Sequence, residues 1–151
     1  MAGRLRSQPQ GLSNLPLREY ARETLRRRLG RVAFEFRHAR HSLTEERIHD
    51  LRVAIRRLTA AMRIFADVVP KGEARRVKSD LRKIMEPAGV VRELDIALEL
   101  AEKSGIEAGS PLLDILRAQR AEGERRLLEG IRAAWRGNAS MHWRERLQLK
   151  P

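Results

Sequence analysis

Apolar residues in this chain recur every third or fourth position and nowhere alternate for long, so the sequence predicts helices and no strands. Leu17, Ala21, Leu25, Leu29, Val32, Phe36 and Ala39 make one such stripe. Pro16, suited to a first helical turn, opens this helix, which is expected over 16–40. Thr44 is a candidate cap for the next, and Glu45 and Glu46 follow where the positive end of a helix dipole favours carboxylates. That second helix is expected over 45–69, closed by Pro70 and Gly72. Val77, Leu81 and Ile84 carry a third over 73–86, and Pro87, which has no N–H to donate, kinks or breaks it. The pattern resumes at Val91, Leu94, Leu98 and Ala101 and stops at Ser104-Gly105. Gly89 then becomes a loop-to-helix joint, whose backbone N–H groups could also meet a phosphate. Ser110-Pro111 caps and starts a fourth helix, which Leu112, Leu116, Leu127, Ile131 and Ala134 continue to 135. The expected fold is all-α, an antiparallel four-helix bundle with its third helix kinked or broken near Pro87. Residues 1–14 read as a flexible basic arm, 15–136 as the bundle, and 137–151 as a tail or short amphipathic helix.

The polar positions of the second helix change this picture from fold to chemistry. At about 100° per residue, His49, Arg52, Arg56 and Arg63 fall within about 60° of one another, opposite Leu51, Ile55, Leu58, Met62 and Phe65. Arg75, Lys78 and Arg82 form a second cationic stripe opposite Val77, Leu81 and Ile84. If these two helices pack side by side, both stripes border one groove, with neighbouring heads spaced for a linear chain of phosphates. No Asp or Glu lies between Arg52 and Arg63, although Glu45, Asp50 and Asp67 stand at the ends of the row. Ordinary solvated helix faces carry charge stripes too, and the shortage of acids is what sets this one apart.

Charge along the whole chain leans the same way. Lys and Arg number 32 against 20 Asp and Glu, a formal charge of +12. Residues 1–92 hold 22 basic and 10 acidic side chains, residues 93–151 hold 10 of each, so the excess sits in the first 92. Self-repulsion of that size works against compactness unless something negative is met there. Arginine dominates, 27 to 5 over lysine, and guanidinium forks pair with phosphate oxygens through two parallel hydrogen bonds. Three functions remain open on these grounds: binding a polyanion, non-specific binding of a DNA or RNA backbone, and a structural bundle that meets an acidic protein partner. Base-stacking aromatics are few, and Tyr20, Trp135 and Trp143 lie off the stripes.

Other chemistries find little support. The absence of cysteine excludes disulfides and thiolate sites and fits a reducing, cytoplasmic setting. No stretch approaches the roughly 18 apolar residues of a membrane span, and no membrane partner is expected. His38 and His41 with His49 lack a carboxylate or thiolate to complete a metal site, so no metal and no cofactor are expected. Serines lack a paired base and no glycine-rich loop opens a helix with lysine, so the chain is not expected to be an enzyme.

The run His49-Asp50-Leu51-Arg52-Val53-Ala54-Ile55-Arg56-Arg57-Leu58, with Ala60-Ala61 and Phe65 after it, resembles the CHAD domains, helical proteins named for their histidine. A second match is Leu81-Arg82 leading through Gly89 into Val91-Arg92-Glu93-Leu94-Asp95-Ile96. The resemblance implies non-catalytic binding of inorganic polyphosphate in a basic channel, on a fold of two similar four-helix halves. Carried over by residue, it makes His49, Arg52, Arg56, Arg57, Arg82 and Arg92 the expected ligands, to which the stripes add Arg63, Arg75 and Lys78. Thr59 stands where the family usually has another arginine, and Glu93 where it has an aspartate. A second histidine-arginine helix is missing, since His142 in Met141-His142-Trp143-Arg144 lacks the spacing. The expectation is a single half, with a homodimer completing the channel, in the cytoplasm and at polyphosphate granules.

Overall fold

The computed structural model describes residues 16–150. They form five α-helices, α1 Leu17–Ala39, α2 Glu45–Ile64, α3 Lys71–Lys103, α4 Pro111–Arg136 and α5 Ala139–Arg146, with one 3-10 turn at Ala66–Val68 and no strand among the described residues. The all-α expectation therefore holds. The proposed basic arm at 1–14 lies outside the described residues.

Local chemistry accounts for most of the boundaries. The Thr44 hydroxyl accepts a hydrogen bond from the Arg47 N–H at 3.2 Å, so α2 begins where its cap was expected. Ser110 does the same for Leu112 at 3.3 Å and Pro111 follows in the first turn of α4. The α3–α4 turn passes through Gly105 at φ 76°, a left-handed conformation that a side chain would strain.

Two expectations need correction. The second helix ends at Ile64 rather than 69: Val69 precedes Pro70, whose ring disfavours helical backbone before it, and Val69 is extended at φ −119°, ψ 152°. Pro87 does not break the third helix, because α3 runs continuously from Lys71 to Lys103. Ile84, Ala88 and Val91 on either side of Pro87 are buried and hold both segments against the core, while Pro87 itself lines an open groove. The Lys83 carbonyl loses its helical donor there, and Lys83 is an exposed residue on the same groove. With no new helix start at Gly89, the expected cluster of free N–H groups does not form either.

Each long helix packs on two others, α1 on α2, α2 on α3, α3 on α4 and α4 back on α1. Leu25, Leu29, Val32 and Phe36 of α1 meet Leu51, Ile55, Leu58 and Met62 of α2, Val77, Leu81 and Ile84 of α3, and Leu127 and Ile131 of α4 in one apolar cluster. Burying each Leu or Ile contributes about 1.5–3 kcal/mol. α3 and α4 approach closely at Gly123, where an added Cβ would stand 3.2 Å from the Val91 Cγ2. The residues after 136 complete this core rather than trail from it, since Trp143, Leu147 and Leu149 are buried in the same cluster.

The α3–α4 hairpin extends past the other helices. Glu45, the first residue of α2, pairs with Arg92, so the last three turns of α3, residues 93–103, run on for about 16 Å beyond that point. Arg120 ties this hairpin together by bonding Asp95 across the seam and Glu124 at 2.7 Å along its own helix. Few side chains are buried here, and Ile96, Leu100, Leu112 and Ile115 are exposed. The hairpin is also acidic, with eight Asp and Glu against three Lys and Arg in residues 93–124.

Candidate functional site

Packing fixes which side of α2 faces water. Leu51, Ile55, Leu58 and Met62 are buried, which leaves His49, Arg56, Arg57 and Arg63 exposed and Arg52 half-buried. On α3, burial of Val77, Leu81 and Ile84 leaves Arg75 and Arg82 exposed and Lys78 half-buried. By helical register Arg57 stands about 80° from His49 and so lies off the main stripe.

Arg52 is the centre of what the fold brings together. Its pKa is lowered, first by burial and then by the charges of Arg56 on its own helix and Arg92 on α3, with Glu93 opposing weakly. A guanidinium stays protonated regardless, so the shift marks crowding of positive charge. The Arg52 Nε is buried and has no hydrogen-bond partner. A buried donor without an acceptor is rare, and a polar group at a binding site is one setting in which it occurs. His49, Arg63, Arg75, Lys78 and Arg82 share the stripes by register.

Among the described residues, eight of the nine nominated side chains have no carboxylate within 4.0 Å: His49, Arg52, Arg56, Arg57, Arg63, Arg75, Lys78 and Arg82. Arg92 is the exception, being bonded to Glu45 at the start of α2. Sequence reasoning placed Glu45 as a helix-dipole residue and missed this second role, because residues 47 apart meet only once the helices pack.

Arg125 and Arg126 of α4 behave differently. Arg125 pairs with Glu122 at 2.8 Å and Glu129 at 3.0 Å, and Arg126 pairs with Glu122 at 3.1 Å. Hydrogen bonds from Arg125 and then Arg126 hold the Glu122 carboxyl down to about 2, so Glu122 stays charged through the physiological range. Arg125 and Arg126 are thus matched within α4, whereas Arg56, Arg57 and Arg63 of α2 and Arg75, Lys78 and Arg82 of α3 are not matched among the described residues.

Glu45 offers a direct test of this balance. Glu45→Gln releases Arg92 from its exposed partner and is expected to tighten polyanion binding by about two- to fivefold, the range of a surface ion pair. Titration of wild type and variant at one salt concentration reads the change; an unchanged or weaker affinity means that Arg92 is not limited by Glu45.

Among the described residues, no three His, Cys, Asp or Glu side chains group as a metal site, and no helix is long and apolar enough to cross a membrane. A groove of about 1070 Å³ lies between α3 and α4, lined by Pro87, Val90, Leu94 and Gly123 among others, away from the cationic stripe. Lys83, Glu86, Glu93, Gln119, Glu122 and Arg126 also line it, acids and bases together, in contrast to the unmatched cations of the stripe. No curated protein and no solved structure matches the chain. The CHAD domain family model, however, matches residues 37–150, which include α2, α3, α4 and α5, and the chain belongs to the CHAD domain family.

Proposed function

We propose that this chain binds inorganic polyphosphate along the α2–α3 face and does so without catalysis. Family membership supports the ligand class. The observation that carries the reading is the half-buried Arg52, crowded by Arg56 and Arg92 and left with an unpartnered Nε. An extended phosphate chain relieves both defects, since it supplies acceptors and negative charge along the helix axis. In this reading the four long helices form an antiparallel bundle that presents His49, Arg52, Arg56 and Arg63 beside Arg75, Lys78, Arg82 and Arg92, with Arg57 on the flank. His49 adds a proton donor whose charged form a bound polyanion favours.

Polyphosphate is preferred over nucleic acid on geometric grounds. A thin, flexible chain carrying a charge on every unit can follow cations spaced by one helical turn, while a DNA duplex cannot bend into that spacing. Competition between long-chain polyphosphate and DNA or RNA at matched phosphate concentration and about 0.15 M salt tests the reading. Polyphosphate is expected to bind at least about tenfold tighter per site, a difference of about 1.4 kcal/mol. Equal affinity, or preference for DNA or RNA, would assign the face to nucleic-acid backbones instead.

A further inference from the structure

A second group of unmatched cations lies where α4 packs back on α1. Arg40, at the end of α1, places its guanidinium over the Trp135 ring at 4.4 Å, and Arg37 approaches the same ring at 5.8 Å. Arg132 of α4 donates from Nε to the Arg40 carbonyl at 3.3 Å. Arg40, His41, Arg132, Trp135 and Arg136 together line a concavity of about 240 Å³. None of its lining residues is acidic. Among the described residues, no carboxylate lies within 4.0 Å of Arg37, Arg40, Arg132 or Arg136.

Three features separate this group from an ordinary charged surface. The Arg40 Nε is buried without a hydrogen-bond partner, the same defect as at Arg52. Two of the cations are already held, Arg40 by stacking on Trp135 and Arg132 by its bond to the chain, so binding would cost little side-chain freedom. The Arg132 bond also satisfies a carbonyl at the negative end of α1, which would otherwise repel an anion. The shape differs from the α2–α3 face as well. Here the cations surround one small concavity with an aromatic wall, whereas there they form a row along two helices.

We propose that Arg40, Arg132 and Arg136, grouped around Trp135, form a second anion site that takes a compact phosphate-bearing anion, of the size of a di- or triphosphate. In the ring of helices the α4–α1 seam is opposite the α2–α3 seam, so the two sites bind independently. Guanidinium forks match the tetrahedral oxygens of phosphate, and the small concavity favours a short anion over a chain.

The indole N–H resonances of the full chain test this, because there are two tryptophans and the Trp143 indole is bonded to Asp80 in the core. Titration with inorganic tripolyphosphate at about 0.15 M salt is expected to shift the Trp135 resonance saturably, with a midpoint below about 1 mM, and to leave Trp143 in place. Arg132→Gln with Arg136→Gln is expected to raise that midpoint at least about tenfold, and Arg52→Ala with Arg56→Ala to leave it within about twofold. Calorimetry on the same variants gives the affinity without relying on either resonance, and their circular dichroism spectra report folding. Absence of a saturable shift, an equal shift with sulfate at matched ionic strength, or equal loss in the Arg52/Arg56 variant would overturn the proposal.

Discussion

Replacing Arg52 and Arg56 together with alanine is expected to weaken binding of long polyphosphate about ten- to a hundredfold and to flatten its salt dependence. The estimate takes about 0.7–1.4 kcal/mol for each charge-assisted contact, reduced from the buried range because Arg56 is exposed. The fold should not suffer, since neither side chain is part of the apolar cluster and neither has an ion-pair partner to strand. Removing Arg52 also takes away the most crowded cation of the face, which works slightly in favour of stability. The matching control is Arg125→Ala with Arg126→Ala, two exposed arginines whose charges are already met by Glu122 and Glu129. Arg117 and Arg120 would serve less well, because Arg120 ties α3 to α4 through Asp95. Equal losses in the two double variants would mean that net charge, and not the α2–α3 face, determines affinity.

Trp143→Ala is expected to cost about 3–5 kcal/mol of folding stability, the range for emptying a buried aromatic site. Trp143 is 3% exposed, its ring lies 5.9 Å from that of Phe36, and its Nε1 donates to Asp80 at 3.0 Å. One side chain thus joins α5 to both α1 and α3. A domain of this size has about 5–15 kcal/mol in total, so the variant would lose a large fraction and melt well below the wild type. Trp143→Phe keeps most of the volume and gives up the hydrogen bond, and it should cost about 1 kcal/mol. Urea unfolding followed by circular dichroism measures both. A loss under about 1 kcal/mol for the alanine variant would show that the helices before 137 are stable without this anchor.

The helical content and several boundaries were legible because they rest on local chemistry. Thr44 and Ser110 are recognisable caps, and the three-to-four spacing from Leu17 to Ala39 admits one reading. Pro87 was harder: its missing N–H is a local fact, but survival of α3 depends on Ile84, Ala88 and Val91 being clamped by other helices. α5 was faint in the sequence because a segment of eight residues shows little periodicity. Its importance comes from Trp143, Leu147 and Leu149 filling the space left by the four longer helices. At the candidate site, register alone grouped Arg52 with Arg56, whereas the Glu45–Arg92 pair and the approach of Arg92 to Arg52 are tertiary events. The Arg40 and Trp135 stack was hidden for the same reason, its members lying on helices far apart in sequence.

The projecting α3–α4 hairpin makes the molecule electrically polar, with its acids at one tip and the cationic excess on the body. In the field of a polyanion such a molecule experiences a torque as well as an attraction, which turns the body toward the polyanion and the tip away. On the proposed reading the hairpin continues α3 along the axis that the phosphate chain follows, so a bound copy would lay its acidic tip beside the chain. Tip and chain would then repel over a screening length of about 8 Å at physiological salt. That repulsion would oppose the pull of the cationic face, and added salt would weaken both.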